Sequence, residues 1–589
     1  MNFQIADLFE IVADTVPDKI AAVDGRHELT YRQLDERANR LASWLVAQGV
    51  KPGEHIGLYL FNGVEYLEAM LAAAKIRAVT ININYRYVDE ELRYLLDDAN
   101  VTTLLFQQEL APIVRRVVPG MPSVRKLVHV TDDSGEQVGD LESTEYEAAL
   151  AASSPERDFP ERSGDDVFIV YTGGTTGMPK GVVWRQHDLF FAGLQGGRPG
   201  GDPISTPEEI ADVVRAEEFG MAIHPAPPFI HGSSQFAALI ALFGGGKVVI
   251  ANGRSFDAAN TARLIDQHGV NVVVLVGDAM CRPFIDAVRA DRDAFSLETM
   301  FVITSQGAIL SRSVQAELNE LFPETMILNN YGSSESGHQG RALPDMSEGA
   351  PDSRIQFFMD ENTRVLDEDL NEIEPGSEKV GKLARTGHIP LGYYNDEEKT
   401  RSTFIEASGR RWVVPGDYAS IDENGFVTLL GRGSVCINTG GEKVYPEEVE
   451  EALKSHDAIQ DVLVVGVPHE RWGEQVEAVL AFRPGASATE EELDAHLRPL
   501  IAGYKVPRRW HIRESIFRQP SGKPDYQWAK KAARTSPPSR TRRTARVRTG
   551  RMWDRPRVCN RRTRRRVVPA IRAPPARSRG RARPERGER

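Results

Sequence analysis

The sequence predicts a layered α/β protein with a large N-terminal α/β domain, a small α+β C-terminal domain and a disordered Arg-rich tail. Three observations carry that prediction. From Ile5 to about Ser163, strand-like and helix-like segments alternate, as parallel strands joined by crossover helices require. The chain has 589 residues, more than one hydrophobic core usually serves, and 41% of them are hydrophobic, ample material for packing. After Arg534 the pattern stops: Arg534–Arg589 holds 21 Arg against Asp554, Glu585 and Glu588, with no apolar periodicity, a composition that cannot build a core.

The elements follow in order. In the stretch TYRQLDERANRLASWLVAQGV, Leu34, Ala38, Leu41, Leu45 and Val46 fall on one helical face and Gly49 sits near its stop. His55–Leu60 reads as a buried strand, Glu65–Lys75 as a helix and Val79–Ile83 as the next strand. Val167–Tyr171 and Val182–Trp184 are β-branched, aromatic and uncharged, as buried strands are. Gly193–Glu218, rich in Gly, Pro and acids, reads as a surface excursion. Leu242–Ile250, Val270–Gly277 and Met300–Ser305 are strand-like. Further on, Glu447–Leu453 opens a helix, and Asp461–Val467 and Val476–Phe482 are strands, which makes a compact α+β unit.

The chemistry turns on VFIVYTGGTTGMPKGVVW, residues 167–184. Gly173, Gly174 and Gly177 permit backbone angles that side chains forbid, so successive N–H groups can face an anion. Thr172, Thr175 and Thr176 add hydroxyl donors, and Lys180 adds a mobile positive charge. A Walker loop is excluded. It needs Gly directly before Lys, Ser or Thr after it and then a helix, whereas Pro179 precedes Lys180 and Gly181 follows it. A phosphate cradle between two strands remains, with an ordinary Gly-rich turn as its alternative.

Over ten consecutive positions this stretch resembles the phosphate-loop signature of adenylate-forming enzymes, the superfamily of acyl-CoA synthetases, luciferases and peptide-synthetase adenylation domains. Further segments match it in the expected order through Lys531. In NYGSSESG, Tyr331 offers a ring to adenine, Ser334 a hydroxyl to the α-phosphate and Glu335 a carboxylate to Mg²⁺, with Gly332 and Ser333 in the same turn. Family members more often carry Thr at the position of Ser334, an exchange that keeps the hydroxyl. Asp417, in VPGDYA, can accept both ribose hydroxyls. The resemblance also implies that Ser305, Gln306 and Gly307 lie against adenine and the acyl chain, and that His231 packs over the reacting carboxylate. It puts Arg432 at the hinge between domains 1–431 and 432–533, with residues 534–589 as the tail. Ser434 departs there from the family's charged residue. Gly440, Gly441, Glu442, Lys443 and Lys505 are implied on the CoA side, and Lys523 as the catalytic lysine of a C-terminal domain that moves between two steps.

The implied activity is acyl-CoA synthesis with ATP, Mg²⁺ and CoA: activation of a carboxylic acid as an acyl adenylate, then thioester formation. Segments such as PPFIHG, LVGDAM and AGYKVPR resemble actinobacterial synthetases for fatty acids and steroid side-chain carboxylates. An acyl-AMP ligase serving a carrier protein is the nearest alternative, and a nucleic-acid-binding protein working through its tail is a remote one. The net charge of −12 conceals a body of 51 basic and 81 acidic residues before Arg534, which will not hold nucleic acid nonspecifically. The tail composition suits nucleic acid or anionic lipid, but an out-of-frame extension of a GC-rich gene is the favoured account. Three separated cysteines, no basic start to the chain and no apolar run of membrane-spanning length argue for a cytoplasmic protein without a membrane span. Homo-oligomerisation stays open.

Overall fold

A computed structural model describes residues 3–172, 178–218, 220–308, 310–342, 356–377, 379–439, 442–469, 472–519 and 522–535, and of Arg432, Ser434, Lys443 and Thr535 the backbone alone. Gly173, Gly174, Thr175, Thr176, Gly177, Gly440, Gly441 and the tail from 536 lie outside the described residues.

The alternating segments of the N-terminal part build a five-stranded sheet ordered Val79–Asn82, His55–Tyr59, Val101–Gln107, Lys126–Val130, Ser143–Glu145, with every pair parallel. Helix Tyr31–Ala47 starts on a capping box between Thr30 and Gln33. It buries Leu34, Ala38, Leu41 and Leu45 completely, whereas Val46 is 49% exposed. Val46 follows Leu45 by one residue, a rotation of roughly 100° that carries it off the core face.

A larger sheet runs through Ile20–Val23, Lys247–Val249, Ala222–Pro225, Val272–Leu275, Val302–Ser305 and Met326–Ser333, all parallel, and turns antiparallel at Gly337–Ala342. Two boundaries differ from expectation. Leu242 and Phe243 complete helix Gly232–Phe243, so the strand that follows is confined to Lys247–Val249. Gly193–Glu218 is more than a surface excursion: helix Glu209–Arg215 buries Ile210, Val213 and Val214 and packs against helix Ile5–Thr15.

The C-terminal small domain is a five-stranded sheet of Glu442–Val444, Ile437–Thr439, Gly473–Phe482, Ile459–His469 and Arg509–Arg513. Helix Tyr526–Thr535 lays Ala529, Ala532 and Ala533 on Leu463, Val465 and Val479, so ordered structure continues past Arg534. Helix Pro446–Lys454 faces the larger sheet's helices. Lys454 Nζ lies 2.9 Å from Asp278 Oδ2 with both side chains buried, and Glu451 Oε1 accepts the Arg312 N–H at 2.9 Å.

Candidate active site

The two strands expected on either side of residues 173–177 are present. Val167–Thr172 pairs antiparallel with Lys180–Arg185, and Thr172 faces Lys180 across the register, so the two candidate phosphate contacts bracket the loop. A segment for which the sequence suggested no role locks this hairpin. Leu391 N–H donates to Val183 O at 2.7 Å and Tyr394 N–H to Gly181 O at 2.8 Å, and the Lys180 ammonium pairs with Asp396. That ammonium holds the Asp396 carboxyl below its usual range.

Next to it, Met326–Ser333 folds back on Gly337–Ala342. A side chain at Gly332 would begin 2.2 Å from Gly337 O, so this close turn requires glycine. The turn carries Ser334, whose carbonyl accepts Trp184 Nε1–H at 2.9 Å, and Glu335, whose Oε1 accepts the Tyr393 hydroxyl at 2.9 Å. Ser334 and Glu335 are therefore braced from the first hairpin by Trp184 and from the neighbouring strand Gly392–Tyr393 by Tyr393.

A cavity of about 1360 Å³ joins these groups. Thr172, His231, Tyr331, Glu335, Asp417 and Lys523 all line it, as do Gln306, Gly307, Gly332, Ser333 and Ser334. Asp417 begins a strand directly opposite Arg432. His231 caps helix Gly232–Phe243, and its Nε2 is buried with no hydrogen-bond partner among the described residues. Burial first, then the positive charges of Lys523 and Arg86, push the His231 imidazolium down to a pKa of about 3, so the ring is neutral at working pH. Lys523 reaches the cavity because Gly522, at φ +77°, sits where a side chain would come 3.0 Å from Val276.

Four of the remaining candidates do not line this cavity. Ser305 is fully buried and its hydroxyl accepts Gly277 N–H at 2.9 Å; the cavity wall beside it is Thr304 and Gln306. Lys505 is held by both oxygens of Glu448, at 2.6 and 2.7 Å. Glu442 lies exposed in the C-terminal sheet, in the strand Glu442–Val444 that also holds the backbone of Lys443. The sequence reading missed Tyr393, Asp396 and the pair Asn330–Thr304, linked at 2.6 Å. Strand alternation would have flagged Thr304 in place of Ser305.

Glu335 with hydroxyl neighbours is a hard oxygen donor set of the kind Mg²⁺ takes. Among the described residues, two other groups bring His and acid side chains together, His187–Asp188–His388 and Asp24–His27–Glu65. In the first, Asp188 is engaged by His388 and Arg185, and in the second Asp24 accepts N–H groups of Arg26, His27 and Val64. Their hydrogen bonds account for both.

A phosphate hairpin, a metal-type carboxylate, a ribose-type aspartate and a lysine from a C-terminal domain, all around one cavity, define a nucleotide-dependent carboxylate-activating enzyme. The chain belongs to the AMP-binding enzyme family, whose model matches residues 9–394, and the AMP-binding enzyme C-terminal domain matches residues 448–523. Among its relatives, a 3-oxocholest-4-en-26-oate–CoA ligase of Rhodococcus rhodochrous is 47% identical over 90% of this chain and 96% of its own length. A medium/long-chain-fatty-acid–CoA/3-oxocholest-4-en-26-oate–CoA ligase of Mycolicibacterium smegmatis is 44% identical over 91% and 98%. The anthranilate CoA ligase AuaEII, solved with anthranoyl-AMP, shares the fold at a TM-score of 0.78 and 19% identity over 90% of this chain and 98% of its own.

Proposed function

We propose that this chain is an AMP-forming acyl-CoA ligase for medium- or long-chain fatty acids and steroid side-chain carboxylates. The observation that carries it is the convergence, on one cavity, of Lys523 and a neutral His231 whose Nε2 has no hydrogen-bond partner among the described residues. A neutral imidazole beside the carboxylate does not hold it as an ion pair, so the oxygen stays nucleophilic, and the Lys523 ammonium offsets charge where two anions must meet.

In the first step a carboxylate oxygen bonds to the α-phosphorus of ATP and the bond to pyrophosphate breaks in line. Thr172, Lys180 and the loop hydroxyls hold the departing phosphates, Tyr331 and Asp417 hold adenine and ribose, and Ser334 holds the α-phosphate. Glu335 would hold Mg²⁺, which when bound offsets phosphate charge. In the second step the CoA sulfur bonds to the acyl carbon as the thiol proton is lost, and AMP departs. The C-terminal domain turns between the steps, withdrawing Lys523 and presenting the Gly440–Gly441 side. The acyl reading draws on the named substrates of the Rhodococcus and Mycolicibacterium relatives.

The test is pyrophosphate release over a panel of carboxylic acids with mass spectrometry of the CoA thioester. Acyl adenylate without acyl-CoA would favour a carrier-protein ligase. Lys523→Ala is expected to abolish adenylation and largely spare thioester formation from supplied acyl adenylate; equal loss of both would contradict the assignment.

A further inference from the structure

Asp396 takes no part in the reaction as described, yet it holds one of the charges that the reaction uses. The Lys180 ammonium pairs with the Asp396 carboxylate. Lys180 is not part of the cavity wall, although Thr172, its partner across the register, and Met178 and Pro179 just before it all are. The lysine's charge is therefore engaged beside the cavity and not in it.

The two partners differ in freedom. Asp396 Oδ1 accepts the Lys399 N–H at 2.8 Å as the cap of helix Glu397–Thr403, and the Asp396 carbonyl accepts the Thr400 N–H at 2.9 Å and the Thr400 hydroxyl at 2.7 Å. The residue before it is tied as well, since the Asn395 side chain donates to Asp98 O at 2.8 Å. Lys180 carries its charge on a flexible four-carbon stem, with its side chain 40% exposed. The carboxylate is fixed and the ammonium can swing. An ion pair this open to water is weak, and a polyphosphate offers the ammonium more charge than one carboxylate does.

We propose that Asp396 competes with the β- and γ-phosphates of ATP for Lys180: it draws the ammonium out of the cavity, so that ATP must displace it, and takes the ammonium back as pyrophosphate leaves. This rests on the phosphate role of Lys180 proposed above. Asp396 is a positioning residue that acts only through the lysine. It weakens the binding of ATP and of pyrophosphate alike. AMP, which lacks the two outer phosphates, does not feel it.

The experiment measures equilibrium affinity for ATP, pyrophosphate and AMP, each with Mg²⁺, in the wild-type chain, Asp396→Asn and Asp396→Ser, and again with Lys180→Met added. Asn and Ser cap a helix about as well as Asp, so the helix is kept while the charge is removed. ATP and pyrophosphate are expected to bind about threefold tighter in both variants, the size of a partly exposed ion pair, with AMP unchanged. With Lys180→Met added the difference is expected to vanish, because no ammonium is left to compete for. Unchanged ATP affinity in both single variants, an equal tightening of AMP, or the same tightening in the Lys180→Met background would overturn the competition. Lys180→Met that binds ATP as tightly as wild type would instead overturn the phosphate role on which it rests.

Discussion

Lys454→Met isolates the contact that seats Lys523. Lys454 and Asp278 side chains are 5% and 9% exposed and 2.9 Å apart. Burial pulls the lysine's pKa down, but Asp278 beside it, together with Asp461 and Glu450, more than offsets that and raises it, so Lys454 is charged at working pH. Removing one partner of a buried pair costs ~3–5 kcal/mol. The lower end applies here, because Asp278 Oδ1 still accepts the Ser311 N–H at 2.8 Å and hydroxyl at 3.0 Å. About 3 kcal/mol corresponds to a shift of about 100-fold in the equilibrium that docks helix Pro446–Lys454 on Asp278. Undocking relieves the stranded carboxylate and takes Lys523 away from His231. Acid-dependent ATP–pyrophosphate exchange is therefore expected to fall by about that factor, while thioester formation from supplied acyl adenylate changes little. Adding Asp278→Asn to Lys454→Met removes the stranded charge and is expected to return part of the exchange. Undiminished exchange in Lys454→Met, or equal loss in both half-reactions, would refute the reasoning.

Other outcomes follow from the same geometry. Tyr393→Phe removes the hydroxyl on Glu335 Oε1 and is expected to raise the metal requirement about 10-fold, read as Mn²⁺ binding with ATP and as the Mg²⁺ dependence of exchange. Unchanged metal affinity would make Tyr393 a purely structural residue. Glu451 titrates at about 7 chiefly because it is buried, with Asp278 adding to the rise and Arg312 and Lys454 opposing it. Its folded form keeps a proton that the unfolded chain releases near pH 4.5, so its stabilisation is complete below that value and disappears as pH rises through 7. Glu450, also near 7, acts in the same direction. Thermal melts of Glu451→Gln should therefore lose less stability than wild type between pH 5 and 8; parallel profiles would contradict this. Truncation after Ser539 is expected to leave activity and Tm unchanged because helix Tyr526–Thr535 stays whole, and a loss of acyl-CoA formation would assign the tail a role.

Local physics made much of this legible in the sequence. The phosphate hairpin announced itself through apolar runs around Gly and Thr, and helix Tyr31–Ala47 through its period and Gly49 near its stop. Errors arose where one residue decides a face. Ser305 was taken for a ligand contact, yet alternation turns it to the core and Thr304 to the cavity. Val46 was counted with Leu45, although adjacent helical residues diverge. Gly193–Glu218 looked like solvent-exposed loop, because composition does not reveal that Ile210, Val213 and Val214 find a helix far away in sequence to bury against.

By itself the sequence determined the elements, the AMP-binding motifs and the candidate ATP contacts, because periodicity, glycine placement and hydroxyl spacing are properties of neighbouring residues. Tertiary structure alone decided that Tyr393 braces Glu335, that Lys454 finds Asp278, that His231 is neutral, and that one cavity gathers Thr172, Tyr331, Asp417 and Lys523. Each depends on burial and on contacts between residues distant in the chain, and only folding sets those.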